Sequence, residues 1–447
     1  MLTIGIDSST QGTKAVVYDV DAAKVVASAA VNYGRDLPEF GSPDGFLPNA
    51  DTRVRRANPE MWVRGLELAL SRLRDSGAPM GEIAAIGGDA QQHATVCLDA
   101  DGNFSRRESP IWMDSSTTAE VAALDARFGK SLATRTGSPA IERFVAAQMM
   151  KFAREEPEAY ARTARVHLLS SFLTSVLAGE DAPVDIGDGA GMNLLNLQTL
   201  AWDEEICAFV AEGLIGKLPR VHLPGKTPLR LADRFAAYGL RPGIPVAPFT
   251  GDNPASLVGC GAEKPGTAVV SLGTSDTFFA AMDEFRTDPD GYGHVFGNPV
   301  GGFMSLACFK NGSLAREKVR ALVGCDYAFF DEGAFEAAGV FAGRAFPYFE
   351  EEITPKHPGT GIEADFDWKA ASDAEKVVSI VRGQVLNMYE RTRWIGSFDT
   401  IRVTGGASRS KGIRDTFAAV FGAKVETLDV PDSAALGGAI LASRLLG

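Results

Sequence analysis

The chain has 447 residues, of which 45 % are hydrophobic and 23 % are charged, and its formal net charge at pH 7 is −13. At roughly 100 to 200 residues per domain, this length predicts two or three domains, and the composition is that of an ordinary globular protein. The acidic balance argues against nucleic acid or an anionic membrane surface as the main partner, because both require a basic face.

The N-terminal part of the chain begins with a predicted hairpin. Residues 2–6 are typical of a buried strand and residues 13–20 of its partner, with a turn of short polar residues at 7–12 between them. Strands that alternate with helices follow, which is typical of α/β proteins. These further predicted elements are a strand at 24–32, a helix at 59–75 with Asn58 as its cap and Pro59 in first position, and strands at 83–87 and 94–98.

A similar set of parts returns in the second half of the chain. Residues 267–282 predict a strand, a short-side-chain turn and a second strand, as residues 3–20 do. The likeness suggests an internal duplication into two α/β lobes that each open with a hairpin. A stretch rich in proline and glycine at 241–266 precedes the second hairpin. Its end predicts the boundary between lobes that cover residues 1–262 and 263–447.

Three turns contain residues suited to binding phosphate. From Asp7 to Lys14, small and hydroxyl side chains let backbone amides approach an anion, and Asp7 suits hydrated Mg²⁺; an ordinary hairpin turn is the alternative. Residues 272–276 offer the same two interpretations. A glycine pair at 405–406 lies between a predicted strand at 400–403 and a helix at 412–421, where helix N–H groups favour a phosphate. The chain has neither a G-x-G-x-x-G fingerprint nor a Walker motif.

Asp252 follows an apolar strand and enters a glycine-flanked turn before a helix of small residues. A carboxylate in this position can cap the helix or accept a proton from a bound hydroxyl, and the two roles do not exclude each other.

Other polar side chains suit a polyol ligand. Gln91, Gln92 and His93 form a polar loop between two strands, although a single histidine more often makes a structural hydrogen bond. Arg143 suits the same ligand, or an ion pair with Glu142 or another acid.

The cysteines are five in number, widely spread and without a C-x-x-C pair. We therefore expect buried thiols in a reducing compartment rather than a disulfide framework or a zinc site. The N-terminal sequence lacks the basic and apolar segments of a secretory signal, and no apolar run approaches the ~18 residues of a membrane span. These features predict a soluble, cytoplasmic protein.

The chain resembles the FGGY family of carbohydrate kinases, whose ATPase fold is shared with actin and hexokinase. The segments that carry the resemblance follow the family's order between residue 3 and about residue 442. They are GIDSSTQGTK at 5–14, AQQHATVCLD at 90–99, SPIWMDSSTTAE at 109–120, IERFVAAQMMKF at 141–152, TGDNPASLVGCG at 250–261, VSLGTSDTFF at 270–279, CFKNGSLAREKVR at 308–320, EITP at 352–355 and VTGGASRSKG at 403–412. Within the family, the chain is most similar to the D-xylulose-phosphorylating kinases of the type known from eukaryotes.

The resemblance implies an α/β fold of two lobes, each a copy of the ribonuclease-H-like ATPase fold, with an active-site cleft between them. It further implies ATP-dependent phosphorylation of D-xylulose to D-xylulose 5-phosphate with Mg²⁺, by a monomer or homodimer, with Asp252 as catalytic base. The residues implied to contact the sugar are His93, Arg143, Asp252 and Asn253. The residue implied to hold the metal is Asp7. The residues implied to bind the nucleotide are Ser9, Thr10, Lys14, Gly273, Thr274, Ser275, Gly405, Gly406 and Arg409, with Tyr327 near the adenine.

Three departures from the family pattern accompany the resemblance. Ser8-Ser9 stands where the family commonly has Gly-Thr, residues 148–151 replace the usual Lys-x-x-Trp, and many relatives extend further beyond the last helix. Two alternative functions stay open at this point. One is a family kinase for another polyol, such as ribulose, gluconate or glycerol, and the other is a nucleotide-gated switch or filament protein on the same architecture.

Overall fold

The computed structural model describes residues 1–225, 229–430 and 432–446. They form two compact units. The first contains Met1–Gly261, Phe296–Phe303 and Asp432–Gly447, and the second contains Ala262–Val295 and Met304–Pro431. The first unit thus takes two segments from the predicted second lobe, 263–447. The predicted end of that lobe at residue 447 lies outside the described residues.

A seven-stranded sheet is the centre of the first unit. The predicted hairpin is confirmed, because Leu2–Ser8 pairs antiparallel with Gly12–Asp19, which pairs antiparallel with Lys24–Asn32. On its other side, Leu2–Ser8 lies parallel to Ile83–Ala90. The strands in order across the sheet are Leu229–Arg230, Pro245–Val246, Ile83–Ala90, Leu2–Ser8, Gly12–Asp19 and Lys24–Asn32, with Thr250–Gly251 also paired to Ile83–Ala90.

Short ladders and helices complete the first unit. The short strands are Arg56–Ala57, Thr95–Leu98, Ser109–Pro110, Arg165–Leu168, Val184–Asp185, Leu195–Asn196, Ala201–Trp202 and Val221–His222. The α-helices are Tyr33–Asp36, Pro59–Asp75, Thr118–Phe128, Lys130–Thr136, Val145–Glu155, Pro157–Arg162, Leu169–Ala178, Ile186–Gly189, Glu204–Val210, Asp252–Gly259 and Ser433–Ser443. The 3₁₀ turns are Pro38–Phe40, Met80–Glu82, Ala190–Met192, Leu214–Lys217, Asp233–Tyr238 and Arg444–Leu446.

The helix Pro59–Asp75 shows how the sequence sets a local element. The Asn58 side chain accepts a hydrogen bond from the Glu60 amide at 2.9 Å, which satisfies a backbone donor that the helix itself leaves free. Its apolar positions recur at helical spacing, and Trp62 and Leu66 among them are fully buried in the core of the first unit. The predicted bounds and cap of this helix are confirmed.

The second unit is built on a six-stranded sheet. The second hairpin is confirmed as Thr267–Leu272 and Asp276–Met282, and Thr267–Leu272 also pairs in parallel with Thr400–Thr404. The first strand of each hairpin therefore lies between its antiparallel partner and a parallel strand, as a duplication predicts. The order across the sheet is His294–Gly297, Phe303–Phe309, Asp276–Met282, Thr267–Leu272, Thr400–Thr404 and Lys424–Thr427.

The remaining elements of the second unit surround this sheet. The short strands are Ala345–Tyr348, Glu352–Ile353, Lys356–His357 and Gly361–Ala364. The helical elements are Ser313–Val323, the π-turn Phe329–Gly333, Ala334–Ala338, Asp373–Thr392, the 3₁₀ turn Gly406–Arg409 and Lys411–Phe421. The last of these confirms the helix predicted at 412–421.

Close backbone packing explains why the C-terminal helix Ser433–Ser443 belongs to the first unit. A Cβ atom on Gly5, in the first strand, would lie 1.8 Å from the Ala435 carbonyl oxygen. A Cβ atom on Gly437 would lie 1.9 Å from the Ala255 carbonyl oxygen. Only glycine permits these approaches, so the helix lies directly against the strand Leu2–Ser8 and the helix Asp252–Gly259.

The five cysteines form no disulfide bond in the part of the chain that the structure describes. Cys97, Cys207 and Cys260 are buried, as expected, whereas Cys308 and Cys325 are half-buried. None of the helices in the described ranges combines the length and the hydropathy that crossing a membrane requires.

We predict that Gly437→Ala destabilises the first unit. Alanine normally stabilises a helix interior by about 1 kcal/mol relative to glycine. Here the added methyl group would meet the Ala255 carbonyl oxygen, and overpacking of this kind costs about 1 to 3 kcal/mol. Urea unfolding of the full chain measures the change.

The matched control for Gly437→Ala is Gly81→Ala, since a Cβ atom at position 81 would meet nothing within 4 Å. An unfolding midpoint for Gly437→Ala equal to that of the unchanged protein would contradict the backbone-to-backbone packing.

Candidate active site

Three carboxyl side chains meet at the carboxyl ends of three adjacent parallel strands. The strand Ile83–Ala90 pairs in parallel with Leu2–Ser8 on one side and with Thr250–Gly251 on the other. This register places Asp89 directly opposite both Asp7 and Thr250, and Asp252 begins the next helix. Ligands of open α/β sheets bind at such strand ends. We call Asp7, Asp89 and Asp252 the acidic edge and take it as the candidate active site.

Asp252 is the first residue of the helix Asp252–Gly259, and Gly251 occupies the cap position. The capping alternative for Asp252 is therefore wrong. Its Oδ1 instead accepts hydrogen bonds from the backbone amide of Asn253 at 2.8 Å and from Nδ2 of Asn253 at 3.0 Å. The Asn253 amide also donates to Oε1 of Gln92 at 3.0 Å. Asn253 thus connects the carboxylate of Asp252 to the polar loop that the sequence singled out.

Burial shifts the proton affinity of the acidic edge. It raises the pKa of Asp252 to about 7, with a further increase from the charge of Asp7 and an opposing effect of the hydrogen bonds from Asn253. Burial likewise raises the pKa of Asp7 to about 6, opposed by Asp89 and Lys14. A carboxyl with a pKa near neutrality can both accept and release a proton at physiological pH, as a general base must.

His93 lies beside this edge with its ring fixed on both sides. Its Nδ1 is 2.8 Å from the Gly191 carbonyl oxygen, and its ring stacks on Phe144 with centroids 4.4 Å apart. Because a carbonyl only accepts, Nδ1 is the nitrogen that donates this hydrogen bond. The structural hydrogen bond is therefore present, and the contact of His93 with a sugar stays a prediction.

Arg143 precedes Phe144, the residue on which His93 stacks, so the chain brings the two predicted sugar ligands to one region. The ion pair with Glu142 that the sequence left open is not formed in the part of the chain that the structure describes.

Trp112 is a site residue that the sequence analysis missed. Its indole N–H donates to Oγ1 of Thr10 at 2.7 Å, and 40 % of the residue is exposed. This contact ties the segment 109–120 to the first predicted phosphate turn. The sequence contained a signal for Trp112, because the segment 109–120 was among those that carried the family resemblance.

The first turn is closed by its own residues. The backbone N–H and the hydroxyl of Ser9 both donate to the Gly12 carbonyl oxygen, at 2.9 and 3.1 Å. The Lys14 ammonium forms an ion pair with Asp432, so its charge is partly neutralised by protein. Such contacts are compatible with the hairpin alternative, and phosphate binding by Ser9, Thr10 and Lys14 stays a prediction.

A cavity of about 430 Å³ in the second unit brings together four of the predicted nucleotide residues. Gly273, Thr274, Gly406 and Tyr327 line it, and its volume lies in the range of small-molecule sites. Gly405 has a φ of 90°, and a Cβ atom there would lie 2.5 Å from the Leu272 carbonyl oxygen. Glycine at that position therefore lets the loop approach the second turn. Ser275, Gly405 and Arg409 do not line this cavity, and their nucleotide roles stay predictions.

Arg316, which also lines the cavity, is a second residue that the sequence analysis left without a role. Its guanidinium donates to both carboxylate oxygens of Asp276, at 2.7 and 2.9 Å, and to Oγ of Ser313. Asp276 ends the second turn, and the Ser313 amide donates to the Gly273 carbonyl oxygen at 3.0 Å. The helix Ser313–Val323 thus holds the second turn in place.

Two further acids, also missed, lie behind Asp252. Asp185 accepts from Oγ1 of Thr250, and Asp188 accepts from Oγ of Ser170. Burial raises the pKa of Asp185 to about 6 and that of Asp188 to about 8, and the charge of Asp252 adds to the second shift. No sequence pattern marked them, because Asp185 ends a strand of only two residues, Val184–Asp185, and Asp188 lies in the four-residue helix Ile186–Gly189 that follows.

Comparison with known proteins identifies similar sequences and a similar fold. The family model described as the FGGY family of carbohydrate kinases, N-terminal domain, matches residues 2–259, and its C-terminal counterpart matches residues 268–446. A xylulose kinase from Rattus norvegicus is 36 % identical over 98 % of this chain and 87 % of its own, and xylulose kinase 2 from Arabidopsis thaliana is 32 % identical over 99 % and 87 %. The crystal structure of a xylulose kinase from Rhodospirillum rubrum superposes with a TM-score of 0.87 over all of this chain and 90 % of its own, at 21 % identity.

We predict that Asp188→Asn increases stability above pH 4. The folded protein raises the pKa of Asp188 from 3.8 to about 8, so the folded carboxyl keeps a proton that the unfolded chain has lost. The free energy of unfolding is therefore unaffected by this group below pH 4. It falls as the pH rises from about 4 to about 8, by at most about 1.4 kcal/mol per pH unit. Asparagine avoids this loss and retains an acceptor for Ser170.

Urea unfolding at pH 4.5, 6 and 7.5 measures the effect as a difference between Asp188→Asn and the unchanged protein that grows with pH. Asp233→Asn, at an exposed acid, is the control. A difference that does not change with pH would contradict the buried, proton-binding state of Asp188.

Proposed function

The chain belongs to the FGGY family of carbohydrate kinases, and from this membership we propose that it transfers the γ-phosphoryl group of ATP to D-xylulose, giving D-xylulose 5-phosphate and ADP. The observation that carries the proposal is the position of Asp252 at the acidic edge. Its relatives named as xylulose kinases, aligned over nearly the whole chain, support the choice of sugar. Membership of the family itself implies that the chain is a carbohydrate kinase that uses ATP.

Asp252 acts as the general base. The O5–H bond of the sugar breaks as its proton passes to the Asp252 carboxylate, the O5–P bond forms, and the bond between the γ-phosphorus and the β,γ-bridging oxygen breaks, so that ADP leaves. Phosphoryl transfer requires positioning and charge neutralisation more than covalent chemistry by the protein. With its pKa raised to about 7 by burial, Asp252 is substantially ionised at neutral pH and still basic enough to accept the proton.

The sugar would be oriented by side chains around this base. Asn253 holds Oδ1 of Asp252 and Oε1 of Gln92, and its amide plane therefore fixes the direction of the carboxylate. The His93 imidazole and the Arg143 guanidinium are polar groups of the kind that form hydrogen bonds with the hydroxyl and carbonyl groups of a ketose.

The nucleotide would bind in the cavity of the second unit. Backbone N–H groups at Gly273 and Gly406 and the hydroxyl of Thr274 are suited to phosphate oxygens. The Tyr327 ring, which carries the Arg320 guanidinium at 4.2 Å from its centroid, offers an aromatic surface for adenine. We keep Ser275, Gly405 and Arg409, and in the first turn Ser9, Thr10 and Lys14, as proposed phosphate contacts.

The residues at the acidic edge fit a magnesium ion. Oδ1 of Asp7 is buried and has no hydrogen-bond partner among the described residues, and Mg²⁺ typically takes one or two carboxylates together with water and phosphate oxygens. A set of three acidic, histidine or cysteine ligands is not found in the described ranges. Bound there, the ion would neutralise negative charge on the phosphates.

We predict that Asp252→Asn lowers kcat by about 10² to 10⁴-fold, the usual contribution of a general base. The amide has the same shape and does not accept the hydroxyl proton. Because Asp252 lies in the first unit and the proposed nucleotide cavity in the second, the KM for ATP should change by less than threefold. Coupled ADP-release kinetics measure both values.

Asp233→Asn is again the control for Asp252→Asn, because Asp233 also lies in the first turn of a helical element but is exposed. Turnover by Asp252→Asn within a few-fold of the unchanged enzyme would refute the assignment of the base.

A substrate panel tests the choice of sugar. We expect the highest kcat/KM for D-xylulose among D-xylulose, L-xylulose, D-ribulose, D-gluconate and glycerol, with ADP release as the measurement. A higher value for another member would assign the chain to that substrate within the same family. ATP-dependent sedimentable polymers without phosphorylation of any sugar would favour the nucleotide switch instead.

A further inference from the structure

Asp89 is the one member of the acidic edge to which neither the sequence analysis nor the proposed mechanism gives a role. The residue is fully buried, with 0 % of its surface exposed. Neither of its carboxylate oxygens has a hydrogen-bond partner among the described residues. A buried polar group without a partner costs free energy, so this carboxyl requires a bound proton or a ligand to complete its surroundings.

The strand register directs Asp89 towards Asp7. The two residues are direct neighbours on parallel strands, so their side chains leave the sheet on the same face. The two acids interact electrostatically, and Oδ1 of Asp7 is also buried without a hydrogen-bond partner among the described residues. No N–H or O–H group of the described residues donates a hydrogen bond to these buried oxygens. Each carboxyl therefore presents an oxygen acceptor to the same small space.

The protein supplies little positive charge to this pair. Lys14 faces Asp7 across the hairpin and attracts it, but the Lys14 ammonium forms its ion pair with Asp432. Asp7 and Asp89 themselves take part in no ion pair within the described ranges, and the charge of Asp252 adds repulsion. Adjacent buried carboxylates of this kind need either a shared proton or a cation.

Solvent access to the pair of Asp7 and Asp89, and the ligand chemistry of carboxylates, favour a cation over a shared proton. Asp7 is only half-buried, so one side of the pair is open to solvent while Asp89 closes the other. Hard divalent cations bind carboxylate oxygens and complete their coordination with water and substrate phosphates. We propose that Asp89 and Asp7 together form the protein's half of a divalent cation site, with Asp89 as its second carboxylate ligand. The role of this ion in the reaction rests on the proposed function, but its binding to the free protein does not.

The test uses Mn²⁺ alone with the full, nucleotide-free protein at pH 7.5. Free Mn²⁺ is followed by electron paramagnetic resonance during titration. We expect one Mn²⁺ per chain in the unchanged protein and at least a tenfold higher Kd in Asp89→Asn, which keeps the shape of the side chain but cannot become a carboxylate.

The control is Asp233→Asn, which removes the charge of an exposed carboxyl of the same unit and should leave the Kd for Mn²⁺ unchanged within twofold. Thermal unfolding in EDTA provides a second measurement. Because it removes an unpaired buried acid, Asp89→Asn should melt no lower than the unchanged protein in EDTA, and unlike that protein it should gain no stability from added Mn²⁺.

Two results would overturn the proposal. One is an equal Kd for Mn²⁺ in Asp89→Asn and in the unchanged protein, and the other is the absence of binding to the unchanged protein up to millimolar Mn²⁺, which would assign a shared proton to the pair. The outcome is separable from that of the proposed function. Mn²⁺ binding without phosphorylation of any sugar would refute the function alone, and phosphorylation of D-xylulose without Mn²⁺ binding to the free protein would refute the cation site alone.

Discussion

The parallel pairing of Ile83–Ala90 with two other strands is the constraint on which the rest of this structure depends. It gathers Asp7, Asp89 and Asp252, which lie far apart in the sequence, at one edge of a sheet. Burial then raises the proton affinity of all three. Two of these acids, Asp7 and Asp89, have buried oxygens without hydrogen-bond partners among the described residues, and this arrangement costs free energy.

Backbone contacts keep that edge in position. The C-terminal helix Ser433–Ser443 lies against the strand that ends near Asp7 and against the helix that begins with Asp252, through glycines that leave no room for a side chain. Asp432, just before this helix, also forms an ion pair with the Lys14 ammonium. Residues from the far end of the chain therefore determine both the geometry and the charge balance of the candidate site.

The two hairpins differ in how their acids are neutralised. In the second unit, Asp276 is held by both terminal nitrogens of a buried arginine, Arg316, and serves to fix the turn that lines the nucleotide cavity. In the first unit, Asp7 has an acidic neighbour, Asp89, instead of an arginine. A buried carboxylate with a bidentate partner is satisfied, whereas a pair of carboxyls is not, and this difference separates a structural acid from the acids of the candidate site.

The sequence by itself determined the local elements and the chemistry of the individual turns. The bounds and cap of Pro59–Asp75, the three strands of the first hairpin region, the second hairpin and the helix that follows the turn at Asp252 could all be predicted, because helix caps, alternation and turn residues act within a few positions of the chain. The tertiary structure alone decided that Gly251 rather than Asp252 caps the following helix, that residues 296–303 and 432–447 belong to the first unit, and that Asp89, Asp188 and Trp112 lie at the site. Those features depend on strand register and on backbone approach between distant segments, and no short stretch of sequence records which segments will meet.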